Sequence, residues 1–425
     1  MKNKNFTNVV MVALIAVIFS MFTGCSSTQT GGGGAPIVQT ATDLARKLGG
    51  ASKAKAESNI VTLTGDVWVE KSLLVPAGVT LDLTRDGARL FLKDDVILTV
   101  NGTVNARGHG DPGNGWVDGG LFIDDGTIVI NGNGTINLKS KGNLLNIWGG
   151  NGKRHLTLDG VTLVGLADND NSLVQVSEGS ELVLKSGVIT YNTHTDAGGG
   201  VNVYKATFIM EGGTISGNAS INDHGGGVSL WDNCTMIMSG GRISSNAAKG
   251  GGGVRVGENS MFTMTGGEIS GNASTNDFGG GVSLYNNSTF TMEGGTISSN
   301  SASRNGGGVY LTGSSIFTMK GGTISSNSAN RAGGGVDVRY GAIFILEGGT
   351  IYGSEADSGN ANISSTGAAL VNGWDDPMPI PPTAKWGTGG TYTKGDVPQT
   401  GGSDIVQAKR GQDYINETLI AIPRQ

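Results

Sequence analysis

One four-residue string, Gly-Gly-Gly-Val, occurs six times in this chain of 425 residues. Its valines are 27, 26, 28, 27 and 27 residues apart, at Val201, Val228, Val254, Val282, Val309 and Val336. A chain with a fixed period in this range folds as a stack of similar units, none of which can bury its apolar face alone. The period therefore predicts an elongated repeat protein, and weaker copies extend the pattern upstream to Leu90.

Each unit holds three short segments in which apolar and polar residues alternate. In the unit 279–305 they are Val282-Ser283-Leu284, Phe290-Thr291-Met292 and the surroundings of a lone Ile297. Alternation with a period of two is typical of strands, and the Asn, Ser and Gly residues between the segments favour turns. Each unit is therefore predicted to be one three-stranded coil of an all-β parallel solenoid, with coils stacked about 4.8 Å apart.

The composition agrees with this fold and excludes several others. Glycine accounts for 75 of the 425 residues, about 18%, and charged residues for only 15%. So much glycine disfavours long helices, and it lacks the strict three-residue period of collagen. The Leu-x-x-Leu-x-Leu pattern of leucine-rich repeats and the recurring Asp of calcium-binding nonapeptide rolls are absent. A formal net charge of -6 argues against a nucleic-acid partner.

The units resemble the right-handed parallel β-helix of the pectate-lyase-like superfamily over residues 55–372. Within that group they are similar to the Gly-rich repeats of bacterial surface adhesins and polymorphic outer-membrane proteins. One slot of successive units always holds asparagine, which resembles the asparagine ladder of the superfamily. The resemblance implies amide groups that bond along the stack and satisfy the backbone of a turn. The ladder residues would be Asn192, Asn218, Asn246, Asn272, Asn300 and Asn327.

Residues 1–24 have the pattern of a bacterial lipoprotein signal peptide. Lys2 and Lys4 precede an apolar run, residues 9–22, that is too short to span a bilayer. The run ends in Phe22-Thr23-Gly24-Cys25, which resembles the loose lipoboxes of spirochaete lipoproteins. The resemblance implies acylation of Cys25 and anchoring in the outer membrane, at the cell surface or on the periplasmic side. An ordinary secretory signal is the alternative, and residues 25–40 are predicted to form a flexible tether.

The rest of the chain divides into a capped solenoid and a C-terminal segment. Residues 41–372 are predicted to hold a short capping helix and the β-helix, because Thr42-Asp43 before Leu44, Ala45 and Leu48 is typical of a helix start. Six of the nine prolines follow residue 376, so residues 373–425 are predicted to form an irregular cap. Caps at both ends protect the outermost strands from edge pairing.

The outward residues of the first strand form one long face across the coils. In the superfamily that the chain resembles, enzymes place their substrate groove on this face. Aromatic residues recur there, and rings about one coil apart can bind sugar rings or simply stabilise one another on the sheet surface. The candidate glycan-binding residues are Trp148, Tyr204, Trp231, Tyr285 and Tyr310.

A catalytic site is harder to find in the repeats. Lyases of the resembled superfamily need acids that hold calcium and a nearby base, and hydrolases need paired carboxylates. Arg255 and Asp337 are three coils apart, about 14 Å at the usual strand spacing, which is too far for direct cooperation. The four histidines lack metal-ligand spacing, so no metal or cofactor is predicted.

An acidic cluster upstream of the six clear repeats is a better, though still weak, candidate for a catalytic site. It consists of Asp94, Asp95, Asp124 and Asp125. The longest insertion, residues 108–120, lies nearby and contains residues that could bind metal or sugar or could form a solvated turn. These are His109, Asp111, Trp116 and Asp118.

Together these observations predict a lipid-anchored surface protein that presents a rigid β-helix to host or matrix ligands, including glycans. The alternative is a polysaccharide lyase or glycoside hydrolase on the same scaffold. The near-identity of the units favours binding, because a catalytic site would interrupt the pattern with clustered acids. The predicted partners are a membrane, reached through the N-terminal lipid, and a host or matrix glycan or protein.

Overall fold

The computed structural model describes residues 37–110, 119–124, 126–150, 152–352 and 361–364, together with five later strands. Between the two ends of the described stack, strands pair in parallel with the strands one coil further along the chain. Antiparallel pairs occur only at the ends of the described sheets, where Ala54–Glu57 pairs with Ile60–Leu63 and two late strands pair with their neighbours. The register is regular: Val201 pairs with Val228, and Val228 with Val254. The predicted all-β parallel β-helix is confirmed.

A single helix covers the N-terminal end of the described solenoid. It spans Ile37–Lys47, with a 3₁₀ turn at Gly50–Ser52, and packs on the first strands. The predicted start at Thr42-Asp43 is wrong, because both residues lie inside the helix and Asp43 forms an ion pair with Arg46 one turn later. Ala41, Leu44 and Ala45 form its buried stripe, and Leu48, just after the helix, is buried with them. No described helix has the length and apolar character needed to cross a bilayer.

The first predicted segment of each coil forms the valine sheet, which has nine strands in the described chain. Its strands are Leu145–Trp148, Val174–Ser177, Val201–Tyr204, Val228–Trp231, Val254–Val256, Val282–Leu284, Val309–Leu311, Val336–Val338 and Leu370–Asn372. A three-stranded sheet occupies the same side of the earlier coils and contacts the valine sheet. Its strands are Val67–Val69, Leu90–Leu92 and Leu121–Ile123.

The second segment forms the phenylalanine sheet, with thirteen described strands. They are Leu73–Val75, Ile97–Val100, Thr127–Asn131, His155–Asp159, Glu181–Leu184, Thr207–Met210, Thr235–Met238, Met261–Met264, Thr289–Met292, Ile316–Met319, Ile343–Leu346, Thr383–Trp386 and Ile405–Gln407.

The third segment forms the isoleucine sheet, with fifteen described strands. They are Ala54–Glu57, Ile60–Leu63, Thr80–Leu83, Thr103–Ala106, Thr135–Leu138, Thr162–Val164, Val188–Thr190, Thr214–Ser216, Arg242–Ser244, Glu268–Ser270, Thr296–Ser298, Thr323–Ser325, Thr350–Tyr352, Thr391–Lys394 and Val397–Thr400.

A fourth, two-residue strand follows the asparagine slot and was not predicted. It forms the corner sheet, with seven described strands. They are Thr193–His194, Ala219–Ser220, Ala247–Ala248, Ala273–Ser274, Ser301–Ala302, Ser328–Ala329 and Ile363–Ser364. Two residues are too few to show alternation, so the pattern of the sequence does not reveal this strand.

The interior is filled by columns of identical or similar apolar side chains. The rings of Phe262, Phe290, Phe317 and Phe344 stack at centroid distances of 4.6, 4.7 and 5.0 Å. Valine, methionine and isoleucine form parallel columns in the same core. Because the repeat places an identical or similar apolar residue at this position of successive coils, packing that works in one coil works in the next.

The glycine triplets are required by the turn that leads into the valine sheet. Gly279 has a φ of 69°, a conformation that side chains rarely adopt. A Cβ on Gly281 would lie 2.6 Å from the carbonyl oxygen of Gly308 in the next coil. Glycine therefore lets the chain turn and lets two backbones approach closely.

The C-terminal segment is more regular than its prolines suggest. Thr383–Trp386 and Thr391–Lys394 add parallel strands to two of the sheets, and Ile405–Gln407 and Val397–Thr400 pair with them in antiparallel fashion. The prediction of an irregular segment is wrong for these strands. Pro398 is compatible with strand structure because its strand lies at the edge of the sheet.

Candidate functional site

The outer face of the valine sheet carries two columns of side chains that point away from the core. In the first, Asn146 pairs in register with Gln175, and Gln175 with Asn202. The second contains Trp148, Ser177, Tyr204 and Trp231 on four successive coils. The strict register of the strands therefore produces a row of amides beside a row of aromatic rings.

These columns form the floor of a groove of about 850 Å³. One wall is formed by His194, at the end of a corner strand, and by Asp196, Ala197 and Asp223 from the turns that follow the corner strands. Asn143 and Glu178 complete the lining. The structure thus brings together three of the predicted glycan-binding residues, which are Trp148, Tyr204 and Trp231.

The aromatic rings of the groove do not pack against one another. Trp148 is 55% exposed, and Tyr204 and Trp231 are half-buried. The Tyr204 ring contacts the ammonium group of Lys205 at 4.7 Å, and the Trp231 ring contacts the guanidinium group of Arg255 at 3.9 Å. For Tyr204 and Trp231, the structure therefore does not support the alternative that the rings only stabilise one another.

The amide row is partly connected. The Asn202 Nδ2 donates to Gln175 Oε1 at 3.0 Å. The Oδ1 atoms of Asn146 and Asn202 have no hydrogen-bond partner among the described residues. Either oxygen can therefore accept a hydrogen bond from a ligand without losing one that it already accepts.

Beyond Trp231 the corner turns close over the face, and the groove ends. Arg255 is only 6% exposed, and it pairs with Glu258. Tyr310 is 3% exposed and stacks on Phe278 at 4.4 Å. Tyr285 is half-buried, 6.1 Å from Tyr310 between ring centroids. Burial raises the pKa of Tyr285 and of Tyr310.

Tyr285 and Tyr310, predicted to bind glycans, therefore lie outside the groove. Neither residue lines the groove. Phe278 covers the Tyr310 ring, and Tyr285 packs between His224, at a ring-centroid distance of 5.3 Å, and Tyr310. The outward position of a residue on a strand does not guarantee its exposure, since a neighbouring turn can fold over it.

A histidine between two carboxylates stands at the closed end of the groove. His224 Nδ1 bonds to Asp223, and its Nε2 lies 3.7 Å from Asp277. Burial alone would lower the pKa of His224, but the hydrogen bonds with Asp223 and Asp277 outweigh it and raise this pKa. His194 behaves in the opposite way, because burial lowers its pKa. The groove therefore contains one histidine whose pKa is lowered, and a histidine whose pKa is raised lies behind Asp223.

The acidic cluster upstream forms turn contacts in the structure. Asp94 Oδ1 accepts hydrogen bonds from the backbone N–H groups of Thr127 and Asp95, at 2.8 and 3.0 Å. Asp124 forms an ion pair with Lys93. Asp125 lies outside the described residues. The part of the chain that the structure describes contains no group of three His, Cys, Asp or Glu side chains suited to a metal ion.

The remaining predicted positions either contact nearby protein groups or lie outside the described residues. Asp337 pairs with Arg339 rather than with Arg255. His109 is buried, with its Nε2 2.7 Å from the Leu121 carbonyl oxygen, whereas Asp111, Trp116 and Asp118 lie outside the described residues. The predicted signal peptide, residues 1–24, and the predicted lipid-anchor residue, Cys25, also lie outside the described residues.

The asparagine slot forms a continuous buried column. Asn192, Asn218, Asn246, Asn272, Asn300 and Asn327 each bond to the asparagine of the next coil. Asn169 and Asn362 extend the column at its two ends. This column lies at the corner between the isoleucine and corner sheets, so it supports the wall of the groove from within.

Sequence reasoning missed the acidic wall of the groove. The signal was present in the two residues before each glycine triplet, which vary while their surroundings repeat. They read Asp196-Ala197, Asp223-His224, Lys249-Gly250, Asp277-Phe278, Arg304-Asn305 and Arg331-Ala332. Variation within a repeat identifies the positions that the scaffold does not constrain.

The comparison with known families agrees with the geometry. Residues 145–315 match the family model described as a right handed beta helix region. The described coils have the fold of a right-handed parallel β-helix. The groove strands from Leu145 to Trp231 lie within the matched segment. No curated protein and no solved structure matches the chain.

Proposed function

We propose that the protein is a lipid-anchored surface protein that binds a polysaccharide chain in the groove of the valine sheet. The single observation that carries the glycan-binding proposal is the row of rings that do not stack on one another. Trp148 and Tyr204 are two coils apart with the small Ser177 between them, a separation of about 10 Å along the rod. This spacing suits rings that contact alternate sugars of a chain lying along the axis.

The chemistry of the lining supports a sugar ligand. The faces of Trp148, Tyr204 and Trp231 suit the apolar C–H faces of sugar rings, and such rings often combine an apolar body with polar edges. The amides of Asn146 and Gln175 can donate to and accept from hydroxyl groups. A rigid, preformed groove also lowers the entropic cost of binding.

Alanine substitution of the groove rings tests this function. Trp148→Ala and Tyr204→Ala are each expected to weaken oligosaccharide binding about tenfold, because each removes one apolar contact face. Binding is measured on a glycan array and then by calorimetry. Trp68→Ala is the matched control, since Trp68 is exposed but lies outside the groove. Unchanged binding in the Trp148→Ala Tyr204→Ala double variant would exclude the groove as the binding site.

Lipid anchoring rests on the sequence around Cys25 and needs its own test. Detergent phase partition and mass spectrometry of the mature N-terminus should show an acylated Cys25, and Cys25→Ser should release the protein into the soluble fraction. Protease treatment of intact cells should remove the protein if it is displayed at the surface. Survival of the protein in intact cells would place it on the periplasmic side instead.

Polysaccharide cleavage is the second candidate function. It is favoured by Asp223, a groove carboxylate that is hydrogen-bonded to His224, because catalytic acids and bases often have such titratable partners. Prolonged incubation with bound polysaccharides should leave chain length unchanged if the protein only binds. Release of new chain ends that is abolished by Asp223→Asn would favour the enzyme.

A further inference from the structure

The lining of the groove is acidic. Among its residues are the carboxylates of Glu178, Asp196 and Asp223, and the lining includes no lysine or arginine. Burial lowers the pKa of His194, which favours the uncharged form of this ring. The groove therefore presents carboxylates beside aromatic rings.

The two cations that contact the aromatic rings of the groove are already engaged. Lys205 pairs with Asp232 and lies over the Tyr204 ring. Arg255 pairs with Glu258 and is buried behind the Trp231 ring. Neither cation is directed at a ligand in the groove.

One of the three groove carboxylates is also compensated. Asp223 is hydrogen-bonded to His224, and this bond holds the pKa of Asp223 down against the raising effect of burial. Glu178 and Asp196 remain: both are exposed, and within the described residues neither carboxylate has an ion pair or a hydrogen bond. The groove thus carries two negative charges without a protein counter-ion in the described structure.

The rings beside these carboxylates add a second, independent preference for positive charge. The face of Trp or Tyr attracts an ammonium group, and the attraction grows as the cation loses water. Trp148 and Tyr204 lie on the same groove surface as Glu178 and Asp196. Lys205 already uses one side of Tyr204 in this way, and Trp148, at 55% exposure, has open ring surface.

We infer that the groove selects chains of 2-amino sugars with free ammonium groups over neutral chains, and rejects chains of uronic acids. This inference rests on the proposed function and adds the class of ligand. Sugar rings would contact the aromatic faces, while their ammonium groups would lie near Glu178 and Asp196. A uronate chain would place like charge against both carboxylates, and no cluster of metal ligands in the described residues offers a bridging cation.

Three hexasaccharides test the inference by calorimetry on the full chain. They are β-1,4-linked glucosamine, its N-acetylated form, which has the same backbone without charge, and an oligogalacturonate. Glucosamine should bind about tenfold more tightly than the N-acetylated chain at low salt, and the difference should shrink as salt screens it. The oligogalacturonate should not bind measurably.

A double substitution tests whether the carboxylates of Glu178 and Asp196 cause the preference for the glucosamine chain. The Glu178→Gln Asp196→Asn variant should lose the preference for glucosamine but keep the affinity for the N-acetylated chain. Glu211→Gln is the matched control, since Glu211 is exposed and does not line the groove. A preference that survives in the double variant would overturn the assignment to Glu178 and Asp196.

The remaining outcomes separate this inference from the proposed function. Equal or tighter binding of oligogalacturonate, with or without calcium, would overturn the inference and leave glycan binding intact. Binding of the N-acetylated chain without binding of the glucosamine chain would also overturn the inference and leave glycan binding intact. Binding of oligolysine with no binding of any hexasaccharide would overturn both in favour of a basic peptide, and no binding of any probe would also overturn both.

Discussion

At the scale of single residues, His224 shows how the corner turns differ in chemistry although the coils are alike. Its neighbours from the packed elements are Asp223, Asp277, Tyr285 and Arg255. The two carboxylates raise the pKa of His224, although burial and Arg255 act in the opposite direction. The equivalent position is Gly250 in the next coil and Phe278 in the one after it.

Opposite pKa shifts of two histidines predict two pH windows for stability. Because the pKa of His224 is raised above its ordinary value of 6.5, this residue stabilises the fold fully below pH 6.5, and the contribution is lost as pH rises through the raised pKa. The pKa of His194 is lowered, so stability falls as pH drops from 6.5 through the lowered pKa.

The free energy of unfolding, measured in urea between about pH 5 and 9, checks both windows. His224→Gln should remove the decline above pH 6.5, and His194→Gln should remove the decline below it. Each variant serves as the control for the other, since it should leave the other window unchanged. If the free energy of unfolding declined equally steeply above pH 6.5 in the parent protein and in His224→Gln, the role given to His224 would be contradicted.

At the scale of elements, the corner between the isoleucine strand and the two-residue strand depends on its asparagine. Asn272 Nδ2 donates to the Ile243 carbonyl oxygen at 2.9 Å and to Asn300 Oδ1 at 3.0 Å. Its own Oδ1 accepts from the backbone N–H and the Nδ2 of Asn246. One side chain thus satisfies polar groups in both neighbouring coils, where no water can reach them.

Asn272→Ala is expected to lower the free energy of unfolding by about 2–4 kcal/mol, because it leaves buried groups on both neighbours without their partner. Asn276→Ala is the matched control, since Asn276 is exposed four residues later and should change stability by less than about 0.5 kcal/mol. Urea unfolding followed by circular dichroism measures both. Equal losses in the two variants would mean that the ladder contributes no special stability.

At the scale of the whole molecule, a stack of coils must protect its ends. The helix Ile37–Lys47 covers the N-terminal coil and packs on the strands Ala54–Glu57 and Ile60–Leu63. Leu44 and Leu48 join the same continuous core as the coils behind them. Without the cap, the end of the core and its strand edges would be open to another chain.

Leu44→Asp is therefore expected to loosen the cap and to cause concentration-dependent association through the exposed end. Light scattering after size-exclusion chromatography measures the mass, which should rise with concentration in this variant. Lys47→Asp is the matched control, because Lys47 lies on the exposed side of the same helix. A monodisperse Leu44→Asp protein with the mass of the parent would show that the helix does not guard the end.

The period of 26–28 residues and the alternation within each unit were sufficient to predict the coils, because every coil buries the same face against identical neighbours. The asparagine slot and the need for an N-terminal cap could also be found in the sequence. The start of the helix and the C-terminal strands could not, since they lie outside the repeat, where propensity alone decides.

The sequence by itself thus determined the scaffold and the aromatic face on which a site could lie. Only the tertiary structure decided where that face is open. The corner turns leave the face open from Trp148 to Trp231 and close over it at Arg255 and Tyr310. The reason is physical: the path of a turn depends on its packing against the coils beside it. Period and alternation describe what one coil buries, whereas the groove and its acidic wall arise between coils.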